Sequence, residues 1–134
     1  MDNFNHQALN LSTDKLLVYT ATSKYYFYFR MFISKFVLEQ GAVPLNPFMV
    51  FEYFLLDTID RDVVREANNN LVKRADEIWV FGPVSDGVLA EIKIAKATNK
   101  KLRYFKIIKS RDIVEVNREE VELEAEVANY RDQL

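Results

Sequence analysis

Apolar positions along this chain fall into short continuous runs separated by longer stretches with helical spacing. Leu16-Leu17-Val18-Tyr19-Thr20 is a short run rich in β-formers and reads as a buried parallel strand. A polar turn, Ala21-Thr22-Ser23, follows, and Ser23 can cap a helix from Lys24 to Gln40 that Gly41 closes. Ala42-Val43-Pro44-Leu45 predicts a second short strand ending at Asn46-Pro47. Phe48 to Phe54 is apolar and reads equally as loop or short helix.

Arg61 to Arg74 carries an apolar stripe of Val63, Val64, Ala67, Leu71 and Val72, which predicts a helix. Asn68, Asn69 and Asn70 lower its propensity without forbidding it. Glu77-Ile78-Trp79-Val80-Phe81 is the clearest strand, with Trp79 read as core, and Gly82-Pro83 ends it. A helix from about Asp86 to Thr98 follows. Leu102 to Ile108 reads as another strand and Ile113 to Val116 as an edge strand. Glu119 to about Arg131 is expected to be an acidic amphipathic helix carrying Val121, Leu123, Val127 and Tyr130. Residues 1–14 form a polar arm, and residues 15–134 are expected to make one domain.

Strands alternating with helices imply an α/β fold with a mostly parallel sheet covered on both faces. In such sheets ligands sit beyond the carboxyl ends of the strands. That rule selects the loops Thr20–Lys24, Asn46–Asp57 and Gly82–Asp86.

Charge narrows the partners. With 18 basic and 20 acidic residues the formal charge is −2, which argues against a dedicated nucleic-acid binder. The absence of cysteine removes disulfides, thiolate metal sites and cysteine nucleophiles, and is consistent with a cytoplasmic home. No apolar run is long enough for a membrane span, and the N-terminus lacks a signal-peptide pattern. His6, the sole histidine, has no clustered carboxylates, so no metal or other cofactor is expected. Tyr25, Tyr26, Phe27, Tyr28, Phe29, Phe32 and Phe36 cannot all share one helix face, so some are expected to meet a ligand or a second copy of the chain.

The candidate site begins at Gly82. Ser85 or Asp86 can cap the next helix, whose free N–H groups would face the ligand crevice, and Gly87 permits close approach to the backbone. Glu91 is the unusual residue. At 100° per residue it falls among the apolar positions, between Ile94 and Ala95, where a carboxylate is costly unless paired. It reads either as a boundary residue reaching solvent or as a carboxylate facing the crevice, able to act as a nucleophile or to bind a hydroxyl. Tyr19 and Tyr25 can stack on a base or orient Glu91. Arg30 and Arg61 can supply positive charge, although surface positions are commoner for arginine.

The stretch Arg74-Ala75-Asp76-Glu77-Ile78-Trp79-Val80-Phe81-Gly82, followed by Ser85, Gly87, Glu91-Ile92 and Ala95, resembles the nucleoside 2-deoxyribosyltransferase-like superfamily. The likeness extends from about residue 14 to residue 108. It implies a three-layer α/β/α sandwich, flavodoxin- or Rossmann-like, with a mostly parallel five-stranded sheet in the order 2-1-3-4-5. It also implies a homo-oligomer acting on a small nucleoside or nucleotide. By the resemblance Glu91 is the nucleophile on the sugar anomeric carbon, and Asp57 is the candidate acid for the departing base. Thr20, Ser23, Lys24, Tyr25, Gly82, Ser85, Asp86 and Gly87 are the expected substrate contacts. Deoxyribosyltransferases carry aspartate where this chain has Ser85. Serine there resembles the related deoxynucleoside monophosphate N-glycosidases, in which it helps hold the 5′-phosphate. The glycine-rich loop of those enzymes is replaced here by Thr20-Ala21-Thr22-Ser23-Lys24. The alternatives on the same scaffold are a nucleotide-sensing domain without catalysis and a purely structural oligomer.

Overall fold

Three apolar runs form the centre of the sheet. β1 (Leu17–Thr22), β3 (Glu77–Phe81) and β4 (Lys101–Ile108) lie side by side and parallel in a computed structural model that describes residues 3–109 and 111–134. β2 (Val43–Leu45) adds in parallel to the outer edge of β1, and β5 (Asp112–Val116) adds antiparallel to β4. The order is β2-β1-β3-β4-β5, the expected flavodoxin- or Rossmann-like arrangement. Pro44 is tolerated because β2 is an edge strand, where a missing N–H breaks no ladder.

Successive side chains leave a strand on opposite faces, so each central strand feeds two cores. Tyr19, Ile78, Val80 and Tyr104 point to one face and meet Val72 of α3 (Arg61–Arg74) and Val88, Leu89 and Ile92 of α4 (Asp86–Ala97). Val18, Trp79, Phe81 and Phe105 point to the other and meet Ile33 and Val37 of α1 (Arg30–Glu39). On that side Phe81 stacks on Phe105 with ring centroids 4.9 Å apart. Burying one such side chain contributes roughly 1.5–3 kcal/mol.

The helix starts follow local capping chemistry. Asp60 Oδ1 accepts the Asp62 N–H at 2.8 Å and opens α3, and Ser85 Oγ accepts the Val88 N–H at 3.2 Å and opens α4. Asn46 caps a single turn, α2 (Pro47–Val50), with Pro47 in its first position. No helix of the described residues is long and apolar enough to cross a membrane.

Two expected helices differ. Lys24–Phe29 is a 3-10 turn, and the α-helix begins only at Arg30. Three residues per turn sets the Tyr26 ring against that of Phe29 at a tilt, ring centroids 5.3 Å apart, and turns Phe27 edge-on to Phe48 at 5.5 Å. Several of these aromatic side chains remain on the surface, with Tyr28 82% and Tyr25 70% exposed.

The acidic C-terminal helix does not form. The segment is a strap of 3-10 turns, Arg118–Glu120, Ala125–Val127 and Arg131–Gln133, around an extended stretch. Val84 explains the extension: its N–H donates to the Glu122 carbonyl and its carbonyl accepts the Glu124 N–H, both at 2.9 Å. The Arg131 guanidinium donates to the carbonyls of Arg118, Glu119 and Val121. A continuous helix would instead have set like charges three or four residues apart at Glu119 and Glu122, Glu120 and Glu124, and Glu122 and Glu126.

Candidate functional site

The chain leaves β1 toward α1 on one face of the sheet and leaves β3 toward α4 on the other. Neighbouring parallel strands whose connections diverge open a crevice at their carboxyl ends. A cleft of about 500 Å³ lies there. Ser23, Lys24 and Tyr25 line it from the loop after β1, and Ser85, Asp86 and Gly87 from the start of α4. Arg61 and Arg65 of α3 face them, together with Glu124 and Glu126 of the strap. Six of the expected substrate contacts therefore come together in one place.

Local bonds fix this wall. Ser23 is 1% exposed, and its Oγ accepts the Tyr25 N–H at 3.4 Å. The Lys24 amine sits 5.5 Å from the Tyr25 ring centre. Asp86 Oδ1 accepts the Gly87 N–H at 2.7 Å. A side chain added at Gly87 would meet only Ser85 Oγ, 4.0 Å away, so the glycine widens the cleft rather than relieving backbone strain.

A second cleft of about 290 Å³ continues from the first, sharing Arg65 and Gly87 with it. It runs between α3 and α4 and is lined by Asn68, Asn69, Ala90, Glu91 and Ile94. From Ser85 to Ile94 the rise along α4 is about 14 Å, which makes the joined clefts a groove long enough for a sugar with a group at either end.

Glu91 stands in the second turn of α4, partly exposed to this groove. Its Oε2 accepts a hydrogen bond from the hydroxyl of Tyr19, a fully buried residue of β1. Burial raises the Glu91 carboxyl from the usual 4.5 to about 7, against the pull of the Tyr19 hydrogen bond, which lowers it. Burial also raises the Tyr19 hydroxyl well above its usual value, and the neighbouring carboxylate charge adds to the effect. The result is a carboxyl group poised between its two protonation states near neutral pH, with one oxygen held by a fixed donor.

Three expected site residues lie apart. Thr20 is 1% exposed, and its hydroxyl is buried without a hydrogen-bond partner among the described residues. In the strand register it lies beside Trp79, on the face opposite Glu91. Gly82, at φ +78°, donates its N–H to the Phe105 carbonyl at 2.9 Å and lines a different cavity, of about 230 Å³, with Tyr26, Phe105 and Val121. Asp57 ends the 3-10 turn Tyr53–Asp57, is exposed, and is not among the described residues lining the groove.

The remaining candidates have structural employment. The Arg30 guanidinium covers the Phe27 ring at 3.9 Å and donates to the Phe27 carbonyl at 3.1 Å. Trp79 is 2% exposed. His6 Nδ1 accepts the Ala8 N–H at 3.0 Å in the N-terminal arm. Among the described residues no group of three or more histidine, aspartate or glutamate side chains could hold a metal ion.

Asn68, which in the sequence stands out only as a residue that lowers the propensity of α3, is brought beside Glu91 by the fold. Asn70 satisfies itself locally, donating to the Glu66 carbonyl at 2.9 Å and accepting from Arg74. The Asn68 side-chain oxygen is buried without a partner among the described residues, an acceptor left open inside the groove. Its signal was present in the helical spacing of Arg61, Arg65 and Asn68, which share one stripe of α3. Glu124 and Glu126 had no comparable signal, because they depend on the strap being extended.

No curated protein matches the chain. The family described as a domain of unknown function (DUF7768) matches residues 19–105, from β1 into β4, a stretch that includes both helices of the groove and the Tyr19–Glu91 pair. The chain therefore belongs to the DUF7768 family, on a Rossmann-like α/β scaffold of the kind that serves nucleotide-binding and catalytic domains.

Proposed function

We propose that this protein cleaves or transfers the N-glycosidic bond of a nucleoside or nucleotide, as a member of the nucleoside 2-deoxyribosyltransferase-like superfamily, with Glu91 as nucleophile. The observation that carries the reading is the Tyr19–Glu91 hydrogen bond at the wall of a groove that continues to Ser85 and Gly87. The first cleft takes the 5′ end of the ligand, the shared wall at Arg65 and Gly87 takes the sugar, and the base lies beyond Glu91 toward Asn68 and Ile94.

In this arrangement the free oxygen of ionised Glu91 attacks C1′. The C1′–N bond breaks and its electron pair leaves with the base, which takes up a proton from water at the open end of the groove. Developing positive charge on the sugar is stabilised by the carboxylate. Asn68, with an open acceptor beside Glu91, can hold the departing base through one of its N–H groups. Water or a second base then attacks C1′ and releases Glu91, giving hydrolysis or transfer. Tyr19 is a positioning residue: it holds the other carboxylate oxygen and fixes the rotamer.

One observation favours a second reading, a nucleotide-sensing module without catalysis. A carboxyl raised to about 7 is only half ionised at neutral pH, which suits a hydrogen-bonding role as well as a nucleophilic one. Incubation with deoxynucleosides and deoxynucleotides, with and without an acceptor base, separates the two. Free base released by the wild type and lost in Glu91→Ala supports catalysis. Tight binding without base release, surviving Glu91→Ala, supports sensing and refutes the nucleophile.

A further inference from the structure

We infer that Glu124 and Glu126 make the first cleft select a free 5′-hydroxyl over a 5′-phosphate, so that the ligand is an unphosphorylated nucleoside. The inference rests on the placement of a nucleoside in the groove proposed above, and it opposes the phosphate role that the resemblance suggests for Ser85.

The two carboxylates come from the strap, which lies beyond residues 19–105 matched by the family. The strap is firmly held. Its backbone is bonded to both polar groups of Val84 at 2.9 Å, one residue before the Ser85 cap. Val121, Val127 and Leu134 are buried in the core beneath it, and Leu123 packs against the same core. Arg131 clamps three of its carbonyls. Because Leu123 faces inward, Glu122 and Glu124 both face out, and the turn Ala125–Val127 carries Glu126 round to the same cleft. Glu124 also acts on the loop after β1: the Tyr26 hydroxyl is raised mainly by burial, with the charges of Glu122 and Glu124 adding to it.

The charges around the cleft decide what it accepts. Lys24, Arg61 and Arg65 face Asp86, Glu124 and Glu126. Arg65 is already paired with Asp62 at 2.9 Å, and among the described residues no ion pair joins Lys24 or Arg61 to the strap. A phosphate, which carries about −1.5 to −2 charge at neutral pH, would enter beside three carboxylates with two uncommitted cations to balance them. Carboxylates only accept hydrogen bonds, and a 5′-hydroxyl has a proton to give them whereas a phosphate dianion has none. The Ser23 and Ser85 hydroxyls then complete the contacts of a neutral group. Like charge built into a cleft is a device for rejecting the wrong ligand.

The test is calorimetric titration of the full chain with the four common 2′-deoxynucleosides and their 5′-monophosphates, for the wild type and for Glu124→Gln/Glu126→Gln. Glutamine keeps the side-chain shape, and the strap is held by backbone bonds and buried apolar residues, so the variant should fold; circular dichroism checks this. The wild type should bind its best nucleoside roughly tenfold or more tighter than the matching monophosphate, and the double variant should collapse or invert that ratio. Tighter monophosphate binding by the wild type, or a ratio unchanged in the variant, overturns the inference. Base release that persists alongside either result leaves the proposed reaction standing. Failure of every nucleoside and nucleotide to bind removes both.

Discussion

Replacing Glu91 by glutamine should stabilise the protein above neutral pH while leaving its stability almost unchanged in mild acid. Glu91 titrates at about 7 in the folded chain and near 4.5 when exposed. Between those values the folded state holds a proton that the unfolded state has lost. The stabilising contribution of the protonated group is therefore complete below pH 4.5 and is lost as the pH rises through 7. At about 1.36 kcal/mol per pKa unit, the displacement is equivalent to roughly 3 kcal/mol. That figure is a ceiling, because part of the side chain reaches the groove surface, and roughly 1–3 kcal/mol is the expected range.

Glutamine is close in shape, carries no charge at any of these pH values, and offers an oxygen to the Tyr19 hydroxyl, so the buried phenol is not orphaned. Urea unfolding of both proteins at about pH 4 and about pH 8.5 isolates the effect, since every other titrating group is common to both. The variant should gain roughly 1–3 kcal/mol over the wild type at the higher pH and little at the lower. A difference between the two proteins that is the same at both pH values would refute the claim that burial raises this carboxyl.

Further substitutions probe the walls of the groove and its supports. Gly82→Ala puts a side chain on a backbone at φ +78°, 2.9 Å from the Tyr26 ring, and should cost about 1–3 kcal/mol in urea unfolding; an unchanged midpoint would mean that this strand end relaxes freely. Ser85→Ala removes the acceptor of the Val88 N–H and should cost about 1 kcal/mol, with weaker ligand binding if the hydroxyl also faces the 5′ end; full stability would show that water replaces the cap. Tyr19→Phe removes the donor that lowers Glu91, so the pH at which base release reaches half its plateau should move upward by about one unit or more. An unmoved profile would detach Tyr19 from the function.

The sheet was legible because its central strands are buried on both faces. Leu16 to Thr20 and Glu77 to Phe81 need no alternation to be recognised, and Arg61 to Arg74 between them carries a clear apolar stripe. α3 runs over the expected Arg61–Arg74, where the structure adds an Asp60 cap at one end and the apolar stripe holds as far as Val72. The strap was not legible. Val121, Leu123 and Val127 have a spacing that suits a helix, but the two free polar groups of Val84 bind the backbone of Glu122 and Glu124 and hold it extended. That is a long-range demand, and no local pattern encodes it. The same limit applies to Asn68: a polar residue on a helix reads as surface until the neighbouring helix is placed against it.

Glu91 could be singled out from sequence because a carboxylate at an apolar helical position is costly, and the Tyr19 hydroxyl accounts for that cost only in part. The remainder appears as the raised pKa, and it separates the two functional readings by sign. A nucleophilic Glu91 works only when ionised, so base release per unit of free enzyme must rise with pH through about 7 and level off above it. A sensing Glu91 that donates its proton to a ligand acceptor works only when protonated, so affinity must fall over the same interval. In both cases the midpoint belongs to Glu91 and must disappear in Glu91→Gln. A pH-independent response, or one that survives that substitution, would mean that the buried carboxyl serves neither role and that the groove acts through the charged residues at its other end.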